Sequence, residues 1–174
     1  MTRIRHLALV VALLLPLAAC VTEPPPPAAP APPRLTPTQA LNAVLAVAKA
    51  DDRELTVQPI RDPQVEDLRE VSVAAQRRGD WKASADALNQ ALLLSPEDPA
   101  VLQERAEVAL ALGDWERAET LSRKALELGS KTGPLCRRHW STIEQSQIAR
   151  GETQNAASAH AQIAACTVAG FDRM

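Results

Sequence analysis

The residues best equipped for chemistry are three cysteines, Cys20, Cys136 and Cys166, and three histidines, His6, His139 and His160. Two Cys and two His can hold zinc tetrahedrally. Cys136 and His139 are three apart, so one helical face would carry both. His160 lies six residues before Cys166, more than one and a half helical turns, which points it away from the face of Cys166. The spacing therefore argues against a four-ligand metal site; it expects His139 at the surface and His160 in a packing position. There is no Gly-rich phosphate loop, no Ser-centred nucleophile elbow and no His-Glu-x-x-His motif. Glu104, Glu107, Asp114, Glu116 and Glu119 sit at ordinary helical spacings, where carboxylates form a solvated face, and no pair stands apart as acid and base. The chain is read as no enzyme, with no cofactor and no metal.

The elements that position these residues are announced by a repeat. Gly79-Asp80-Trp81 recurs 34 residues later as Gly113-Asp114-Trp115, Ala91-Leu92 recurs as Ala125-Leu126, and Leu94 as Leu128. Self-similarity at this period signals stacked helical hairpins. The pattern resembles the tetratricopeptide repeat: a Gly at the inter-helix turn, an aromatic opening the second helix, small residues where helices touch, and a Pro after the second helix. The first repeat, about 65–98, carries Leu68, Gly79, Trp81, Ser84, Leu88, Ala91 and Pro96. The second, about 99–132, carries Leu102, Ala106, Gly113, Trp115, Ala118 and Ala125, with Arg105 at an expected apolar position. A fainter third, about 137–170, starts some four residues late, with Trp140, Ile143, Gly151 and Ala156; Glu144 and Thr153 depart from the pattern. The resemblance implies an all-α fold, a TPR-like α-solenoid of antiparallel helical hairpins with about seven helices and no sheet. Asp62-Pro63 and Asp98-Pro99 read as helix starts, and Gly79 and Gly113 as helix stops. With one Phe and no Tyr, packing falls to Ala, Leu and the tryptophans. Trp81 is expected to be the more critical of the repeat pair if a preceding helix docks beside it.

Residues 1–19 read as an address. Arg3, Arg5 and His6 form a basic head, and Leu7 to Leu17 is an apolar run too short to span a bilayer. Leu17-Ala18-Ala19-Cys20 resembles a bacterial lipobox, which implies cleavage before Cys20 and a diacylglycerol on its sulfur. Val21 in the next position, by resemblance to enteric lipoproteins, implies the outer membrane, facing the periplasm. Losing Arg3 and Arg5 takes the formal net charge from −2 to −4; a mildly acidic chain without a basic run offers nucleic acid no counterion-displacing patch. Residues 20–35 read as a tether: seven of the ten residues from Pro24 to Pro33 are proline, which excludes helix and sheet and implies polyproline II of about 40 Å. Residues 36–62 hold a helix and a polar connection. Thr36, Pro37 and Gln39 have the pattern of a capping box, and Leu41, Val44, Leu45 and Ala48 form an apolar stripe. Residues 63–170 form the repeat domain.

With Cys20 lipidated, Cys136 and Cys166 remain, an even pair in an oxidising compartment. In the third hairpin they fall at neighbouring ends of two antiparallel helices. A disulfide is the first reading; the zinc site weighed above is its rival. Stacked hairpins line one side with their first helices. Stepping one face from the packing stripe picks out Arg69, Val73 and Gln76, then Gln103, Glu107 and Leu110, then Ser141, Gln145 and Ile148. Val73, Leu110 and Ile148 would make an apolar centre with a polar rim, suited to a peptide or protein helix. The expected partner is a protein or peptide of the cell envelope, in pilus, secretin or cell-wall machinery, with the membrane engaged through the lipid anchor. Two alternatives stand beside it. One is a structural, self-associating homo-oligomeric lipoprotein. The other is a face filled by the chain's own Leu41 to Ala48 helix.

Overall fold

The computed structural model describes residues 35–48 and 60–167; the signal stretch, Cys20 and the proline-rich tether lie outside the described residues. Among the described residues there are seven helices and no strand: α1 (Pro37–Val47), α2 (Pro63–Arg77), α3 (Trp81–Leu94), α4 (Pro99–Ala111), α5 (Trp115–Leu128), α6 (Gly133–Ala149) and α7 (Thr153–Ala165). Helices α2–α3, α4–α5 and α6–α7 pack as consecutive antiparallel hairpins, and α1 lies against α4 and α6.

The caps follow the residue types. Thr36 Oγ1 accepts from the Gln39 N–H and the Gln39 side chain accepts from the Thr36 N–H, closing the capping box of α1. Asp62 accepts from Gln64 N–H at 2.8 Å, and Asp98 from Ala100 and Val101 N–H at 2.8 and 3.2 Å. Asp80 and Asp114 cap α3 and α5 in the same way, accepting from Ala83 and Arg117. Each side-chain oxygen satisfies a helix N–H that has no partner within the helix. Gly79 and Gly113 adopt φ of 73° and 74°, the left-handed conformation that reverses the chain between helices of a hairpin. Gly129 is required for a different reason. A Cβ there would meet the Ala125 carbonyl at 2.9 Å and Pro99 at 3.1 Å, so α5 ends where α4 begins to press on it.

The third hairpin corrects one expectation. Its lateness is not a late start, for α6 begins at Gly133, 34 residues after Pro99. The extra turn is inside α6, which has 17 residues against 13 in α4. This hairpin has no side-chain cap at Thr132 or Glu152. It is clamped instead by a Cys136–Cys166 disulfide with Cα atoms 5.7 Å apart, and the Gly133 N–H donates to the Cys166 carbonyl at 2.7 Å.

Two apolar clusters carry the stack. Val65, Ala85, Leu88, Ala91, Val101 and Val108, with Leu68, Trp81 and Leu92 against them, join the first hairpin to α4. Val44, Ala109, Leu110 and Ala118, with Trp115 against them, join α1 to the second hairpin. Helix α1 thus docks beside Trp115, not Trp81, so the condition on which Trp81 was expected to be the more critical is not met.

Candidate functional site

The face lined by the first helices α2, α4 and α6 is tied together by charge. Arg61 Nε donates to Asp98 at 2.7 Å. Arg69 donates to both oxygens of Glu66 at 2.7 Å and reaches across to Glu104 with two bonds, one of them 2.9 Å from Nε. Arg138 grips Glu107 bidentately at 2.6 Å from Nε and 2.6 Å from Nη2. Arg61–Asp98, Arg69–Glu104 and Arg138–Glu107 each link one hairpin to the next, and the planar guanidinium suits a two-point grip on carboxylate. The hydrogen bonding that Arg69 donates to Glu104 dominates there and raises the Arg69 pKa further above its already high value. At Arg138 burial pulls the other way, but the charge and hydrogen bonds of Glu107 outweigh it. These side chains are partnered within the chain.

Behind this ladder lies a buried polar network. Gln103, fully buried, accepts from Ser122 Oγ at 2.9 Å and lies 2.7 Å from His139 Nδ1; its amide donates to Thr142 Oγ1 at 2.8 Å and to Glu107 at 2.9 Å. Ser122 also donates to the His139 carbonyl at 2.9 Å if its proton turns that way. His139 is fully buried, and burial, with Arg138 and Lys131 nearby, lowers its pKa to about 3. It is a neutral imidazole at neutral pH. His160, by contrast, is exposed and lies 2.8 Å from Glu144. The two histidines therefore exchange their expected places. The stripe His139, Thr142, Ser146 faces inward, with every member buried, and that i, i+3, i+7 run of small or polar residues was the signal for it.

No model of a known protein family matches the chain, and no curated protein matches it. Among solved structures, the globular C-terminal domain of P. aeruginosa LpoP is similar. It is 28% identical, with a TM-score of 0.57, over 60% of this chain and 99% of that domain. The fold is all-helical and TPR-like.

The nine residues expected to line a groove fall into three groups. Val73 and Ile148 are exposed, at 42% and 41%. Arg69 and Gln76 are half-buried: Arg69 is in the ion-pair ladder, and Gln76 turns inward, donating to Ser72 and Ser84 at 3.2 Å each. Gln103, Glu107, Leu110, Ser141 and Gln145 are buried. The expectation of an open apolar centre is corrected at Leu110, which has no exposed surface because α1 lies over it through Val44. Pro37 approaches to 3.7 Å from where a Gly113 Cβ would stand, and Arg137 Nε donates to the Val47 carbonyl at 3.0 Å. Helix α1 therefore runs from the end of α4 down to the start of α6, antiparallel to both. Two things escaped the sequence: where α1 docks, and the pairing of Arg69 with Glu104 and Arg138 with Glu107. The second had a signal, since each pair joins residues roughly one repeat apart.

Arg105, at a position the repeat pattern reserves for an apolar side chain, is buried and donates to Asn89 at 2.8 Å. Burial lowers its pKa, with Arg117 adding to the effect. Both cysteine sulfurs are used by the disulfide, so neither is a thiolate donor. No helix among the described residues is long and apolar enough to cross a membrane.

Proposed function

We propose that this chain is a membrane-anchored, periplasm-facing scaffold without catalytic activity, which binds a protein or peptide partner in envelope assembly, with pilus, secretin and cell-wall machinery as the candidate settings. The observation that supports the reading is the likeness to the LpoP domain, matched over 99% of its length by a chain whose Leu17-Ala18-Ala19-Cys20 resembles a lipobox. The anchor would be a lipid on Cys20, and Val21 after it favours the outer membrane. The described face of first helices supplies a rigid, internally charge-paired surface rather than a reactive one, which suits recognition and not bond-making.

The test is cross-linking and affinity capture from solubilised envelopes with the lipid anchor intact. A discrete protein should be recovered with the native chain, and the isolated LpoP domain should be tried as competitor. Recovery of the same proteins by an unrelated lipoprotein would sink the reading. Cys20→Ser should leave an unprocessed or soluble protein; normal maturation and membrane fractionation of that variant would remove the anchor from the proposal.

A second reading, self-association, is favoured by one feature. Leu93 and Leu94 at the end of α3 and Leu128 at the end of α5 are 83%, 49% and 43% exposed. Sedimentation over a wide concentration range separates the two readings, because a self-association surface shows without any partner.

A further inference from the structure

The arginines that bridge successive hairpins each meet a carboxylate: Arg61 meets Asp98, Arg69 meets Glu104 and Arg138 meets Glu107. Arg105 on α4 does not. It is only 6% exposed, and the one hydrogen bond its side chain makes runs from Nε to the neutral side-chain oxygen of Asn89 at 2.8 Å. Nη1 is buried without a partner, and Nη2 makes no hydrogen bond. A guanidinium has five N–H donors, so four of them are unspent. The nearby acids are engaged elsewhere: Asp86 pairs with Lys82 at 2.9 Å and Asp114 with Arg117 at 2.9 Å.

This arrangement costs the free chain stability. A guanidinium taken out of water recovers its lost hydration only when an opposite charge meets it, and an apolar side chain of similar volume in such a place is often neutral or stabilising. The repeat pattern asks for an apolar side chain at this position. A residue that breaks its local rule without an internal compensation marks a place where something besides folding is served.

The position of the guanidinium says what can reach it. Asn89 is exposed on α3. Asp86 on α3, and Asp114 and Arg117 at the start of α5, are near enough to act on the charge of Arg105. Arg117 is itself 57% exposed. The head of Arg105 therefore lies between the second helices α3 and α5. It is one residue, and so about 100° of helix, away from the Glu104 of the ion-pair ladder. The ladder has its cations taken; this crevice has one to offer.

We infer that the crevice between α3 and α5 is a seat for the carboxylate of an Asp or Glu side chain presented by a protein partner, with the unspent Nη groups of Arg105 donating to it. The planar fork matches the two oxygens of a carboxylate, and Arg117 adds a second positive charge at the rim. The partner supplies the counter-charge that the chain lacks, so binding relieves a penalty present in the free protein. The inference rests on the reading of the chain as a protein-binding scaffold, and it adds the chemistry of one contact.

The test starts from the wild-type chain with acetate as the probe. The Arg105 Nε–H resonance should move saturably as acetate replaces chloride at constant ionic strength. Asn89→Asp places a carboxylate where the Nε bond already points. It should raise the melting temperature, remove the acetate response and weaken capture of the envelope protein by about tenfold or more. Arg105→Leu should likewise melt higher and lose capture. An acetate-insensitive wild-type resonance would overturn the inference. A lower melting temperature for Asn89→Asp would do the same, because Arg105 would then already be satisfied. Stabilised variants that capture the partner at wild-type strength would also sink it. A response to glycerol phosphate with none to acetate would replace the acidic side chain with a lipid headgroup. Should the wild-type chain capture no protein, the scaffold reading fails, while the acetate and melting results still decide whether Arg105 takes a carboxylate.

Discussion

The two junctions between successive hairpins have the same backbone arrangement and different chemistry. Between the first and second hairpins, Val65, Leu88, Ala91, Val101 and Val108 meet in a dry apolar cluster. Between the second and third, the position 34 residues after Leu88 is Ser122, and the space is filled by Gln103, His139 and Thr142 exchanging hydrogen bonds. The interior of the first junction draws its stability from area removed from water, which is tolerant of small shifts in direction, while Arg61–Asp98 and Arg69–Glu104 pair across its edge. The second relies on buried polar groups partnering one another, with His139 Nε2 left without a partner, and a buried donor or acceptor left alone costs about 1–3 kcal/mol. The covalent clamp lies beside it, within the third hairpin. The repeat geometry, in other words, is a constraint that two unlike kinds of interior can satisfy.

The sharpest way to break this comparison is Leu88→Ala. Leu88 is fully buried, so the loss should be about 4 kcal/mol of unfolding free energy, transfer and cavity together, read by denaturant titration. A loss under about 1 kcal/mol would show that the first junction is not held by apolar packing. Next comes the clamp. The cysteines are 30 residues apart, and in the chain-entropy model a loop of that size contributes about 3–4 kcal/mol. Cys136→Ser with Cys166→Ser should therefore destabilise the chain by that amount. Hydrogen exchange should rise first in α6 and α7, whose starts have no side-chain caps, while the first hairpin keeps its protection. Uniform loosening would mean that the third hairpin is not the weak end.

The same contrast explains what could be read from the sequence. The fold class, the hairpin turns at Gly79 and Gly113 and the Asp caps were legible because each is a local residue type at a fixed offset, with a one-to-one physical cause. The disulfide was legible because two residues of one hairpin had to be neighbours. The face was only partly legible. Adding 34 to a residue number carries its position on the helix, but not what lies above it, and Leu110 was misplaced because the position of α1 depends on contacts 65 or more residues away in sequence. His139 and His160 were exchanged for a related reason. Periodicity assigns polar residues to the outside, whereas Gln103, Ser122 and Thr142 make an inside that accepts an imidazole. Cys20 and the tether fall outside the described residues, and their reading rests on the motif alone.

His139 gives the second junction a pH dependence in the range where an ordinary imidazole titrates. Its pKa is lowered to about 3 in the folded chain, by burial first and then by Arg138 and Lys131, while the unfolded value is about 6.5. Above pH 6.5 both states hold a neutral ring and the group contributes nothing to the slope. As the pH falls below 6.5 the unfolded chain takes up a proton that the folded chain refuses, so stability drops by up to about 1.4 kcal/mol per pH unit until the folded value is reached. Between pH 6.5 and 5 the wild-type chain should lose about 2 kcal/mol. His139→Gln, which can keep one hydrogen bond toward Gln103, should flatten that segment of the curve. An unchanged slope would show that His139 takes up its proton without unfolding and that the second junction is not sealed.

The smallest effect tests the ends of the helices rather than the junctions. Asp80 accepts from the Ala83 N–H at 2.9 Å and Asp114 from the Arg117 N–H at 3.2 Å. The corresponding residue before α7, Glu152, makes no side-chain cap and is occupied with Arg150 at 2.7 Å and Asn155 at 3.1 Å. Capping by Asp is worth about 1 kcal/mol, whereas an exposed ion pair is worth about 0–1 kcal/mol. Asp80→Ala and Asp114→Ala should each lower stability by about 1 kcal/mol, with the shorter Asp80 contact giving the larger loss. The loss for Asp114 also includes its ion pair with Arg117 at 2.9 Å, which 0.5 M salt should weaken. Glu152→Ala should cost less than either, and its small cost should vanish in the same salt. Equal losses at all three sites, unmoved by salt, would mean that the third hairpin is capped as the others are, and the contrast between a hairpin held by its helix ends and one held by its disulfide would fail.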